Sequence, residues 1–70
     1  MEYTGRSKTM YSEEYGEDVT IFEYASQSKY PYCECSMCGK PLIRKMYVVQ
    51  SDATDIELAY LGPECIRRLT

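Results

Sequence analysis

Four cysteines carry most of the chemistry that this chain of 70 residues can offer, and they fall in two places. Cys33, Cys35 and Cys38 lie in the run Cys33-Glu34-Cys35-Ser36-Met37-Cys38-Gly39-Lys40-Pro41, and Cys65 stands far downstream. Cys35 and Cys38 are separated by two residues, so a tight turn brings both thiolates to one ion. Gly39 follows at once and permits a positive φ, which lets the backbone turn its amides toward the sulfurs. Pro41 then sends the chain out in extended form. Zinc is the expected ion because it takes thiolates tetrahedrally and needs no redox partner; an iron–sulfur cluster would use the same donors.

Cys65 sits in Leu61-Gly62-Pro63-Glu64-Cys65-Ile66-Arg67-Arg68-Leu69. Proline at a first helical position loses only an N–H that would be unpaired there, and Glu64 suits the positive end of the helix dipole. Cys65 is therefore expected in the first turn of a short helix, where the thiolate form is favoured. The fourth donor is less determined. The residue three beyond Cys65 is Arg68, which cannot ligate, and the chain has no histidine. Cys33 is the expected fourth ligand, with Glu34, Glu64 or a water as substitutes.

The competing reading of the thiols is two disulfides. Residues 1–10 include Glu2, Arg6 and Lys8 and contain no apolar run of the kind a secretory signal needs. A reducing, cytoplasmic setting is the expectation, and paired thiols there are better read as metal ligands.

Seventy residues make one small domain. A chain of that size buries only about 60 % of its unfolded surface and is marginal without a staple. Structural zinc contributes apparent free energies of roughly 10–16 kcal/mol in small peptides, comparable to the whole stability of an ordinary domain. The formal charge is −3. It belongs to the first 32 residues, where Glu2, Glu13, Glu14, Glu17, Asp18 and Glu23 outnumber Arg6, Lys8 and Lys29; the remainder is balanced. Eight of the nine aromatic residues are tyrosines, and six of those precede the knuckle: Tyr3, Tyr11, Tyr15, Tyr24, Tyr30 and Tyr32. No stretch is apolar for long enough to span a membrane as a helix.

The elements that must position the thiols can be read in order. Residues 1–17 are polar, acidic and tyrosine-rich. They read as a flexible leader beside the domain, or as a contact arm that orders on a partner. Val19–Tyr24 is rich in β-branched and aromatic residues and reads as a strand, with Val19, Ile21 and Glu23 on one face. Residues 25–29 form a polar loop, and Tyr30-Pro31-Tyr32 delivers the chain into the knuckle, its tyrosines shielding the metal. A second strand is expected over Leu42–Val49. Ser51–Asp55 has turn chemistry, and Ile56–Leu61 is the returning strand with Ile56, Leu58 and Tyr60 as its core face. The helix from Pro63 onward is too short to persist without packing through Ile66 and Leu69.

A knuckle, a hairpin and a thiolate at a helix start are the parts of a treble-clef zinc finger. In Cys35-x-x-Cys38-Gly39-Lys40-Pro41-Leu42 and in Gly62-Pro63-Glu64-Cys65 the chain resembles the small treble-clef zinc proteins common in bacteriophages and mobile elements. The resemblance covers residues 33–70. It departs from the pattern at Tyr60, where the family has glycine, and in carrying Cys33 before the knuckle. The resemblance implies a structural zinc and a small accessory protein of no defined activity. The expected fold is a small α+β, zinc-stapled domain over residues 18–70, of treble-clef type with an extra N-terminal strand.

Catalysis is the least supported class. Four thiolates would close the coordination sphere, no histidine is present for proton transfer, and no glycine-rich phosphate loop appears. Nucleic-acid binding is the alternative, through Lys40, Arg44, Lys45, Arg67 and Arg68, but the half that carries them is net neutral. The favoured expectation is a non-catalytic interaction module. It would bind, or inhibit, a host protein through an acidic tyrosine-rich surface formed by Tyr11, Glu13, Glu14, Tyr15, Glu17 and Asp18. A sharper form has Glu13, Glu14, Glu17, Asp18 and Glu23 stand in for phosphates.

Overall fold

The computed structural model describes residues 2–27 and 29–69; Met1, Ser28 and Thr70, on which the expected leader, loop and helix end partly fall, lie outside the described residues. The chain is α+β. Four antiparallel strands form one sheet in the order β1-β2-β5-β6, from β1 (Glu2–Ser12), β2 (Glu17–Ala25), β5 (Lys45–Ser51) and β6 (Glu57–Leu61). Between β2 and β5 the chain makes a separate two-stranded ladder, β3 (Cys33–Glu34) with β4 (Pro41–Leu42), and it ends in α1 (Pro63–Leu69).

The expected strand at Val19–Tyr24 is the heart of β2, and its register explains the core. Val19 pairs with Ser51 and Ile21 with Val49, while Val49 pairs with Ala59 and Tyr47 with Leu61. Directly paired residues share a face, so Val19, Ile21, Val49, Ala59 and Leu61 form one apolar layer. Ile66 of α1 lines the same cleft as Ile21 and Tyr47, which places the helix on that layer. Val19, Val49 and Leu61 are wholly buried. Each such side chain contributes about 1.5–3 kcal/mol relative to exposure.

β5 is buried on both faces. Met46 and Val48 point away from the helix, yet each is only 3 % exposed. The run Met46-Tyr47-Val48-Val49 is accordingly apolar throughout, as a central strand covered on two sides requires.

Three expectations give way here. Residues 2–12, read as a leader, form the longest strand, paired with β2 from Glu2↔Ala25 to Ser12↔Glu17 with an irregularity between Tyr3 and Ser7. The strand expected over Leu42–Val49 is broken at Ile43-Arg44, where the Ser26 amide donates to the Arg44 carbonyl at 2.8 Å. On β6 the buried residues are Ala59 and Leu61, while Ile56 is 60 % exposed and Leu58 and Tyr60 are half-buried. That segment is apolar on both faces, so alternation does not fix which one meets the helix. The pairing Tyr47↔Leu61 fixes it.

The turn after β5 forms as expected. Asp55 donates its amide to the Ser51 carbonyl at 2.9 Å and adopts a φ of 57°, a conformation that aspartate tolerates better than most residues.

Candidate metal centre

The knuckle closes through short backbone bonds. The Cys35 amide donates to the Lys40 carbonyl at 2.8 Å, and the Gly39 amide donates to the Cys35 carbonyl at 2.9 Å. Gly39 has the expected positive φ, 74°. Across from it, Gly62 packs so closely that a Cβ there would lie 3.0 Å from Leu42 Cδ2. That approach brings the start of α1 against the knuckle.

As a result the thiols of Cys35, Cys38 and Cys65 lie within 4.8 Å of one another. Cys35 and Cys65 are buried and Cys38 is exposed. These are free thiols, and three soft donors at this separation could hold a metal ion. Among the described residues no histidine, aspartate or glutamate joins the group.

The thiols of the cluster shift one another's protonation. Burial pushes the Cys35 thiol up, but the backbone amides of Cys38, Gly62 and Met37 and the Cys65 thiol outweigh it and hold Cys35 down at about 6. Cys65, expected at the helix start to favour its thiolate form, is instead pushed up to about 11 by its hydrogen bonds to Cys35 and Cys38, with burial adding to them.

Cys33, the expected fourth ligand, lies outside this cluster. Its Sγ donates to Met46 Sδ at 3.4 Å, on the sheet face away from α1, and burial raises its thiol, with the charge of Cys35 adding to the effect. The segment is held there because Cys33 pairs with Leu42 and the Tyr32 amide donates to the Leu42 carbonyl at 2.9 Å. Of the other substitutes, Glu64 is drawn to Lys40 at 3.3 Å and Glu34 is exposed. Tyr30 and Tyr32 are 79 % and 62 % exposed and do not cover the thiols. Ser36, which sequence reasoning passed over, anchors the knuckle to β6 through its amide and its hydroxyl. A serine between two cysteines gives no signal of that role.

The residues expected to meet a partner lie at the β1–β2 turn and do not act alike. Tyr11 is 58 % exposed, and Glu13, Glu14 and Asp18 are exposed as well. Tyr11, Glu13 and Glu14 share a cleft of about 690 Å³ with Met37 and Arg68. Tyr15 is half-buried against the core, and burial together with the charge of Glu14 raises its phenol. Glu17 accepts a hydrogen bond from the Ser51 hydroxyl. Glu23 accepts from Thr4 Oγ1 at 2.8 Å and from the Tyr47 hydroxyl at 3.1 Å, so neither of these acids is free to imitate a phosphate.

The basic residues are dispersed among acids. Lys40 pairs with Glu64, Lys45 approaches Glu23 at 3.9 Å, and Arg68 shares its cleft with Glu13 and Glu14. Arg44 and Arg67 are exposed.

Fold and site together define a small α+β protein with a cluster of three cysteines able to hold a metal. Comparison with family models, with curated proteins and with solved structures finds no match. Among the described residues no helix is long and apolar enough to cross a membrane.

Proposed function

We propose that the chain is a non-catalytic interaction module of treble-clef type, stapled by one structural zinc on Cys35, Cys38 and Cys65. It docks on a protein partner through its acidic, tyrosine-rich surface. The observation that carries the reading is the convergence of the knuckle thiols and the helix-start thiol within 4.8 Å. Two thiols from a tight knuckle and one from the start of a helix, with a hairpin between, follow the order of a treble clef. Three thiolates favour zinc over harder cations, and a domain this small gains most from such a staple.

With Cys33 outside the cluster, closure of the coordination sphere by four thiolates no longer supports the non-catalytic reading, which rests instead on the thiols' surroundings. The chain has no histidine, and among the described residues no carboxylate stands with the sulfurs to move a proton. The accessory role, in a phage-type protein acting on a host component, draws on the resemblance of residues 33–70. Inhibition by phosphate imitation has less support, because Glu17 and Glu23 are engaged internally. The nucleic-acid alternative draws less support too, since Lys40 and Lys45 each stand beside an acid and Arg68 lines a cleft that also holds Glu13 and Glu14.

Native mass spectrometry of the reduced protein tests the staple. One zinc per chain, lost together with folded structure on chelation, is the expected result; a metal-free chain four daltons light would replace the reading with two disulfides.

A further inference from the structure

A second feature lies on the sheet face away from α1. A cavity of about 210 Å³ is lined by Tyr24, Tyr32, Met46, Val48, Glu57 and Tyr60. Its parts come from four stretches of chain: Tyr24 from β2, Met46 and Val48 from β5, Glu57 and Tyr60 from β6, and Tyr32 from the segment that enters the knuckle. Met46 and Val48 make a buried apolar floor, Tyr24 and Tyr60 are half-buried, and Tyr32 is exposed.

The charge at this cavity has one sign. Glu57 is an exposed carboxylate and accepts a hydrogen bond from the Tyr60 hydroxyl. That bond, followed by burial and by the negative charge of Glu57, pushes the Tyr60 phenol up to about 12, and Glu57 is the one carboxylate among the lining residues. Among the described residues no lysine or arginine lines the cavity. Aromatic faces present negative potential, and a cation over such a face gains about 0.5–1 kcal/mol where exposed and about 2 where desolvated. The volume is below the roughly 300–1,000 Å³ of drug-sized pockets and suits the head of a single side chain.

We propose that Tyr24, Tyr32 and Tyr60, with Glu57, form an aromatic cage for a cationic side chain, a lysine ammonium or arginine guanidinium, presented by a basic segment of a protein partner. The proposal rests on the reading of the chain as a protein-binding module and adds to the acidic surface at the β1–β2 turn a second point of recognition on the sheet face. The formal charge of −3 steers a basic segment toward the molecule, and the cage gives it a place to dock.

The test is an amide-shift titration of the full metal-loaded chain with acetyl-Gly-Arg-Gly-amide and with its citrulline counterpart, which keeps the shape and removes the charge. The expected result is a set of shifts centred on Tyr24, Tyr32 and Tyr60, with the arginine peptide binding about fivefold or more tightly than citrulline. Tyr60→Phe keeps the response, whereas Tyr60→Leu and Glu57→Gln each weaken it about fivefold. Equal binding of the two peptides, shifts centred elsewhere, or no shifts at all would overturn the cage. Metal content and partner capture, measured on the same samples, separate that failure from failure of the interaction reading: a chain that holds its metal and its partner but ignores the arginine peptide loses only the cage.

Discussion

Ser36 and Tyr60 hold each other by two hydrogen bonds: the Ser36 amide donates to the Tyr60 carbonyl at 2.8 Å, and the Tyr60 amide donates to Ser36 Oγ at 3.1 Å. β6 is an edge strand, and this pair covers part of its open side with the knuckle. Ser36→Ala removes one bond and leaves the Tyr60 amide without its partner. A loss of about 1 kcal/mol in urea unfolding of the metal-loaded chain is expected, with little change in the m-value.

The three clustered thiols and the fourth cysteine should separate cleanly under substitution. Cys35→Ser and Cys65→Ser are expected to abolish stoichiometric metal binding, and Cys38→Ser to weaken it by more than about tenfold. Cys33→Ser should change affinity by less than about threefold, because its thiol is engaged with Met46 rather than with the cluster. Cobalt substitution reads the donor set directly. A thiolate-to-cobalt band that loses intensity in Cys33→Ser would put Cys33 in the coordination sphere.

Gly62 is constrained by contact rather than by dihedral angle. A methyl group there meets Leu42 Cδ2 at 3.0 Å, and Leu42 is 4 % exposed with little room to yield. Gly62→Ala is expected to destabilise the chain by about 1–2 kcal/mol. Combined with Leu42→Val it should cost less than the sum of the two single changes. Additive effects in thermal or urea unfolding would place the strain elsewhere.

Glu23 gives the fold an acid dependence. Its carboxyl is held below the ordinary value of 4.5, first by the hydrogen bond from Thr4, against burial, and then by Tyr47, Lys45 and Arg6. A depressed folded-state pKa contributes stability that is complete above the ordinary carboxylate value and is lost as pH falls through the folded one. Unfolding free energy should therefore fall with acid below about pH 4.5. Glu23→Gln should flatten that part of the curve, and an unchanged slope would remove Glu23 as its source.

Much of the C-terminal half was legible because its punctuation is chemical. Gly39 needs its positive φ, Pro63 suits a first helical turn, and Cys65 follows at the helix start where it meets the knuckle. The orientation of Cys33 was not legible, since spacing within a short ladder does not say which neighbour a thiol will choose. β1 was hidden for another reason: nearly all its residues are exposed, so it lacks the apolar period that marks a strand, and it is specified by pairing with β2. On β6, Ala59-Tyr60-Leu61 is apolar on both faces, and only the register against β5 shows which face meets the helix.

Cys65 comes after all six strands in chain order, while Cys35 and Cys38 come before the last three. During synthesis the sulfur cluster therefore cannot close until every strand has left the ribosome. The β1–β2 hairpin emerges early but is marginal by itself, as two-stranded hairpins are. Its central neighbour β5 follows only after the knuckle, and long-range pairing of that kind is slow to form. Under the zinc reading, capture of the ion requires synthesis to have passed Cys65: a product truncated before Cys65 has its sheet strands but not the helix-side sulfur, and should be open to proteolysis.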